Sequence, residues 1–142
     1  MFSYKYHSRK NEYICQSDLC TFCQNERETI FHIFCECDIV KNFWMQFKNW
    51  INPNEEIVAL DNFEIIFGKL NDNTCINLLI ILAKYHIYKQ KLKNCHPSIS
   101  NFKSEVEYYY KLQKHIYKNK NMENDFQRKW YQYIIIRENG NV

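Results

Sequence analysis

Apolar positions recur at helical spacing through most of this chain, after a short Cys-rich opening. Residues 1–14 form a polar, aromatic lead-in, and Tyr13 to Cys23 reads as a short extended or hairpin segment. Thr29 is placed to cap one or two helical turns through Ile30-Phe31-His32-Ile33-Phe34. Asp38 is the expected N-cap of the next helix, whose apolar set is Val40, Phe43, Trp44, Phe47, Trp50 and Ile51, with Asn52-Pro53-Asn54 as the stop. A short helix from about Asp61 to Phe67 should end at Gly68, where a positive φ costs nothing. Asn73 or Thr74 then begins an apolar helix to about Lys93. Ile76, Leu79, Ile80, Ala83 and Ile87 share one face of it, while Leu78, Ile81 and Leu82 cover others, so a central position is expected.

His96-Pro97 breaks the pattern. Ser100 is the expected cap of a helix over Asn101 to Asn119, with Phe102, Val106, Tyr109, Gln113 and Ile116 facing inward. A last helix, near Met122 to Ile136, stacks Met122, Phe126, Trp130 and Tyr133. With only two Gly and two Pro in 142 residues, a turn-rich sandwich is disfavoured and an all-α helical bundle follows. No internal repeat and no long flexible linker divides the chain.

The charge is uneven. Residues 1–72 carry seven Lys/Arg against eleven Asp/Glu, and residues 73–142 twelve against five, so the second half holds the basic surplus. Such asymmetry points toward a polyanionic partner, against the plainer reading of a solvated, Lys-rich helical surface. The longest unbroken apolar run, Leu78 to Ala83, is too short to span a bilayer, and Met1 to Lys10 lacks the apolar core of a secretory signal. An odd set of seven cysteines without such a signal is expected to stay reduced in the nucleus or cytoplasm, where metal ligation is favoured over disulfides.

The cysteines are not scattered. Cys20-x2-Cys23-x8-His32-x4-Cys37 puts three thiols and one imidazole within eighteen residues, at spacings that suit a closed tetrahedral Zn2+ site. A Cys-x2-Cys turn supplies two ligands from one tight loop, and the later pair closes the tetrahedron. Cys35 is a rival for the fourth position because it shares a helical face with His32. Cys37 is preferred because it falls where that helix should end, free to turn toward the ion. Cys75 and Cys95 read as ordinary small core residues. Zinc in such a module contributes on the order of 10–16 kcal/mol to folding. Four protein ligands leave no open position for water activation, so the site is expected to be structural.

Catalytic signatures are missing. Gly68 and Gly140 alone cannot build a phosphate-binding loop, no G-x-S-x-G or H-E-x-x-H occurs, and the carboxylates show no two-metal pairing. The expectation is a chain that is not an enzyme.

Cys20-x2-Cys23, Glu28-Thr29-x2-His32-Ile33-Phe34-x2-Cys37 and the following Phe43-Trp44 together resemble the zinc-binding segment C-terminal to non-LTR (LINE-type) retrotransposon reverse transcriptases. Ile33 stands where that family usually has Leu, and Asp38 where Pro often follows the last Cys. The likeness extends over about residues 15–95. It implies contact with template RNA or target DNA and a possible reverse-transcriptase body as partner, but no polymerase activity, because the Y-x-D-D motif is missing. Lys84, Tyr88, Lys89, Lys91 and Lys93 on one helix, and Lys103, Lys111, Lys114 and Lys118 on the next, are the residues placed to meet phosphates and bases.

The sequence therefore predicts an all-α helical bundle with a small N-terminal CCHC zinc module. Residues 1–52 would form the knuckle and the Trp-bearing helix, and 53–142 a helical body with basic faces packed as one unit with it. The expected role is non-catalytic nucleic-acid binding; the alternative is a structural or protein-interaction module docking onto a polymerase body.

Overall fold

The computed structural model describes residues 4–5, 14–15, 18–52, 61–69 and 74–140. Two-residue strands β1 (Tyr4–Lys5) and β2 (Ile14–Cys15) pair antiparallel. The rest of the lead-in, together with Pro53 and Asn54 of the expected helix stop, lies outside the described residues. A π-helical turn, His32–Glu36, leads into α1 (Asp38–Ile51), α2 (Asn62–Phe67), α3 (Thr74–Leu92), α4 (Ile99–Asn119) and α5 (Glu123–Glu138). The protein is all-α, a helical bundle with a small Cys/His module at its N-terminal end.

Helix α1 buries the six apolar positions that its periodicity selects. Asp38 is its first helical residue rather than its cap; Cys37 holds the cap position without a side-chain hydrogen bond. Asp61 caps α2 in a reciprocal capping box, accepting from Glu64 N (2.6 Å) while the Glu64 carboxylate accepts from Asp61 N (3.3 Å). Gly68 ends α2 at φ 85°, and a Cβ there would lie 2.7 Å from Asn77 Oδ1. The Asn77 amide meanwhile clips both Lys69 N and Lys69 O, fixing the end of α2 against α3.

Helix α4 starts two residues earlier than its sequence predicts. Ser98, not Ser100, takes the extended cap conformation and accepts from Asn101 N (3.4 Å), while its own N–H donates to the buried His86 Nε2 (3.3 Å). The inner face of α4 is Phe102, Val106 and Tyr110, with Tyr109 and Gln113 half-buried and Ile116 exposed. Packing against α5 decides this: the Tyr110 ring meets Phe126, Trp130 and Tyr133 at centroid distances of 5.2–5.3 Å. Met122 is exposed and Ile136 buried, so the core stripe of α5 is shifted toward its C-terminus.

The core is continuous from Cys20 to Ile136 and largely aromatic. Phe102 sits among Phe43, Phe47, Trp50 and His86, all within 6 Å between centroids. Offset and edge-on ring pairs of this kind contribute about 0.5–1.5 kcal/mol each beyond their buried area. Helix α5 packs on both α3 and α4, and α1 reaches α4, α5 and the π-helical turn, so the metal-site turn rests directly on the bundle. No described helix is long and apolar enough to cross a membrane.

Candidate metal centre

The Cys20-Thr21-Phe22-Cys23 segment is a tight turn inside a small hairpin. Leu19 bridges Arg27, Cys20 N–H donates to Glu26 O (2.7 Å), and Glu28 N–H to Asp18 O (2.7 Å). Gln24 closes the turn onto Cys20 O (2.9 Å) at φ 58°, a left-handed conformation that its side chain offsets by donating to Thr21 O (3.1 Å). Across from the turn, the Thr29 hydroxyl accepts from His32 N (2.9 Å), the cap its position predicts. The Cys37 N–H then reaches His32 O (2.8 Å), closing the wide π turn that delivers His32 and Cys37 to one side. Trp44 secures this turn to α1, its indole N–H donating to Phe34 O (2.8 Å).

These local devices bring Cys20, Cys23, His32 and Cys37 together, with one ligand atom of each within 4.8 Å of the others. Cys20 Sγ and Cys37 Sγ are 3.9 Å apart, and Cys23 Sγ is 3.4 Å from His32 Nε2. A tetrahedral ion with metal–sulfur bonds of about 2.3 Å requires edges of about 3.8 Å between sulfurs and about 3.6 Å from sulfur to imidazole nitrogen. The four residues therefore fit a metal ion. Cys35 is buried but outside the cluster, whose fourth member is Cys37. Cys75 is buried as expected; Cys95 is exposed rather than part of the core.

The electrostatics of the cage differ from ligand to ligand. Backbone N–H groups of Asn25, and secondarily of Glu26, point at Cys23 and lower its pKa to about 6 against the opposing effect of burial. Burial pushes Cys37 up to about 11, although the first N–H groups of α1, at Ile39 and Val40, oppose the rise. A bound cation would favour the thiolate, which is the ligand form, and at Cys37 the N–H groups of the α1 N-terminus would support it. Burial likewise raises Cys35, with no comparable ring of donors.

Comparison with protein-family models, curated proteins and solved structures finds no match. None of these comparisons links the chain to LINE-type reverse transcriptases, and that expectation has only the quoted motif residues behind it.

One residue of that motif has a role that spacing alone does not reveal. Glu28 Oε2 accepts from Thr21 N (2.9 Å) and from the Thr21 hydroxyl (2.7 Å), between the first two ligands, while Oε1 pairs with the Lys91 ammonium on α3. Burial opposes ionisation of Glu28, but the hydrogen bonds from Lys91 and Thr21 outweigh it and hold the carboxyl below its usual range. The ligand turn is thus tied to the helical body through one carboxylate. The only sequence signal was a Glu beside the capping Thr, because Lys91 lies sixty-three residues away.

The basic residues divide into two groups. Lys84 Nζ donates to Ile66 O (3.0 Å), Lys89 pairs with Glu105 (2.8 Å), and Lys91 with Glu28, so these three are directed at internal partners. Tyr88 is exposed on α3, and Lys93 is exposed in the turn just past its end. On α4, Lys103 lies over the Trp50 ring (5.7 Å), Lys111 is exposed beside Glu107 (3.3 Å), and Lys114 and Lys118 are exposed. The two predicted lysine groups therefore differ in how much of their charge faces solvent.

Proposed function

We propose that this chain is a zinc-stabilised, non-catalytic nucleic-acid-binding domain, similar to the C-terminal tail of a LINE-type reverse transcriptase and engaging template RNA or target DNA. Zinc is favoured by the donor set: three thiolates and an imidazole at tetrahedral separations are soft, closed and saturated. A site with three of its four ligands buried has a folding role. A nuclear or cytoplasmic location belongs to the same reading, because a thiolate cage is maintained where thiols stay reduced.

The observation that carries nucleic-acid binding is the run from Lys111 to Met122. It holds Lys111, Lys114, His115, Lys118 and Lys120 without one carboxylate, and all five are exposed. Exposed cations along one helix release counterions from a phosphate backbone, which is the largest sequence-independent term in such binding. The test is fluorescence anisotropy of labelled single-stranded RNA and DNA with the zinc-loaded protein over a salt series. Replacing Lys111, Lys114 and Lys118 by Gln should reduce the slope of log K against log salt by about 2. Binding that is absent at low salt, or unchanged by the triple substitution, overturns the reading. The alternative, a module docking onto a polymerase body, is favoured by the internal pairing of Lys84, Lys89 and Lys91, which withdraws α3 from phosphate contact.

A further inference from the structure

Helix α3 is apolar nearly all the way round, which its sequence interprets as a central position. Its inner side is indeed buried, with Leu79, Ala83, His86 and Ile87 excluded from solvent. Its outer side is not. Ile81, Tyr85, Tyr88 and Leu92 are 58%, 58%, 47% and 64% exposed, four large side chains on one uncovered face. Their spacing of four, three and four residues is that of the apolar seam between two packed helices.

We propose that this face is a self-complementary seam that joins two copies of the chain, α3 against α3, antiparallel about a two-fold axis. The order of the side chains selects a second copy as the occupant. Aliphatic, Tyr, Tyr, aliphatic reads the same in both directions, so a two-fold axis midway between residues 86 and 87 sets Ile81 against Leu92 of the other copy and Tyr85 against its Tyr88. An isologous interface needs this internal symmetry. A nucleic-acid strand has no use for it: half of the seam is aliphatic and offers no ring for a base to stack on.

Charge and area agree with this assignment. Lysines flank the seam at positions 84, 89 and 91, and bare like charges across it would repel. Lys89 and Lys91 are already matched by Glu105 and Glu28. Large side chains of these types expose about 200 Å² each when free, so the four contribute on the order of 450 Å² per copy. Two copies then bury about 900 Å², and Ile30 and Tyr108 bring the total past the roughly 1,000 Å² of a specific interface. Ile30 and Tyr108, 77% and 71% exposed, line grooves of about 200 and 380 Å³ to which Tyr88 and Tyr85 respectively contribute a wall.

Sedimentation equilibrium of the full, metal-loaded chain from micromolar to sub-millimolar concentration tests the seam. The wild type should dimerise, and Ile81→Lys and Leu92→Glu should each shift the protein to monomer with unchanged helical content and metal content. Mixing the two variants should restore a heterodimer, because the introduced ammonium and carboxylate face each other in the antiparallel register. A wild type that stays monomeric throughout overturns the proposal, as does a dimer that survives both substitutions. Two monomeric variants that do not recombine overturn the register. None of these outcomes depends on RNA or DNA binding, so the seam and the nucleic-acid reading stand or fall separately.

Discussion

Removing the Glu28 carboxylate is the most direct way to ask whether the metal turn and the helical body are one mechanical unit. Glu28→Ala leaves Thr21 N–H, the Thr21 hydroxyl and the Lys91 ammonium without their shared acceptor. Water replaces part of the loss at the half-buried Thr21, so each neutral donor is worth about 1 kcal/mol. The Glu28 and Lys91 side chains are 22% and 30% exposed, less than a third, so screening is incomplete and the pair adds about another 1 kcal/mol. The total of about 3 kcal/mol should lower the melting temperature of the metal-loaded protein by about 6–12 °C for a chain of this size. Because Thr21 stands between two ligands, a competing chelator should also strip the variant faster. Lys91→Met removes only the ammonium and should cost about 1 kcal/mol, and the double variant should cost less than the two singles together, by about the energy of the pair. Glu28 is depressed in the folded state, so its contribution is full above the ordinary carboxylate range and lost as pH falls through the folded value. Glu28→Ala should therefore be less sensitive to acid on that side. The reasoning fails if Glu28→Ala melts within about 1 °C of wild type, or if the single costs simply add.

Other parts of the structure make equally specific demands. Cys37→Ser should abolish stoichiometric metal binding, whereas Cys35→Ser should retain the ion and cost about 1–2 kcal/mol from burying a hydroxyl, as read by metal analysis and thermal melts. Trp44→Phe keeps the ring in the core but abandons Phe34 O, and should cost about 1–3 kcal/mol in chemical denaturation. Burial lowers His86, with Glu105 opposing the shift, so the folded protein binds this proton less readily than the unfolded chain. Stability from that residue is full above the unfolded histidine value and declines as pH drops below it; His86→Gln should flatten the denaturation-midpoint profile between about pH 7 and 5. Glu107, opposed by burial but held below its usual range by Arg137, Tyr133 and Lys111, adds a second loss at lower pH, and Glu107→Gln should remove it.

The sequence by itself determined the helical class, the α1 core face, the α2 stop, and Cys20, Cys23 and His32 of the metal cluster, with Cys37 preferred but Cys35 still open as the fourth member. Each of these rests on short sequence spacings, where backbone geometry leaves few alternatives. Thr29 caps from a fixed offset, and Cys20 and Cys23 share a turn too short to place them otherwise. What only the tertiary structure decided is long-range. Ser98 won over Ser100 because His86, twelve residues earlier, accepts its N–H. Tyr110 took the inner position on α4 because rings of α5 meet it there. Lys84, Lys89 and Lys91 turned inward because a carbonyl and two carboxylates, 16 to 63 residues away in sequence, come within reach. The outer stripe of α3 is the clearest case. A pattern of apolar residues states that a helix has apolar faces, but which face its own fold covers depends on how α1, α4 and α5 pack, and that packing left Ile81, Tyr85, Tyr88 and Leu92 in solvent.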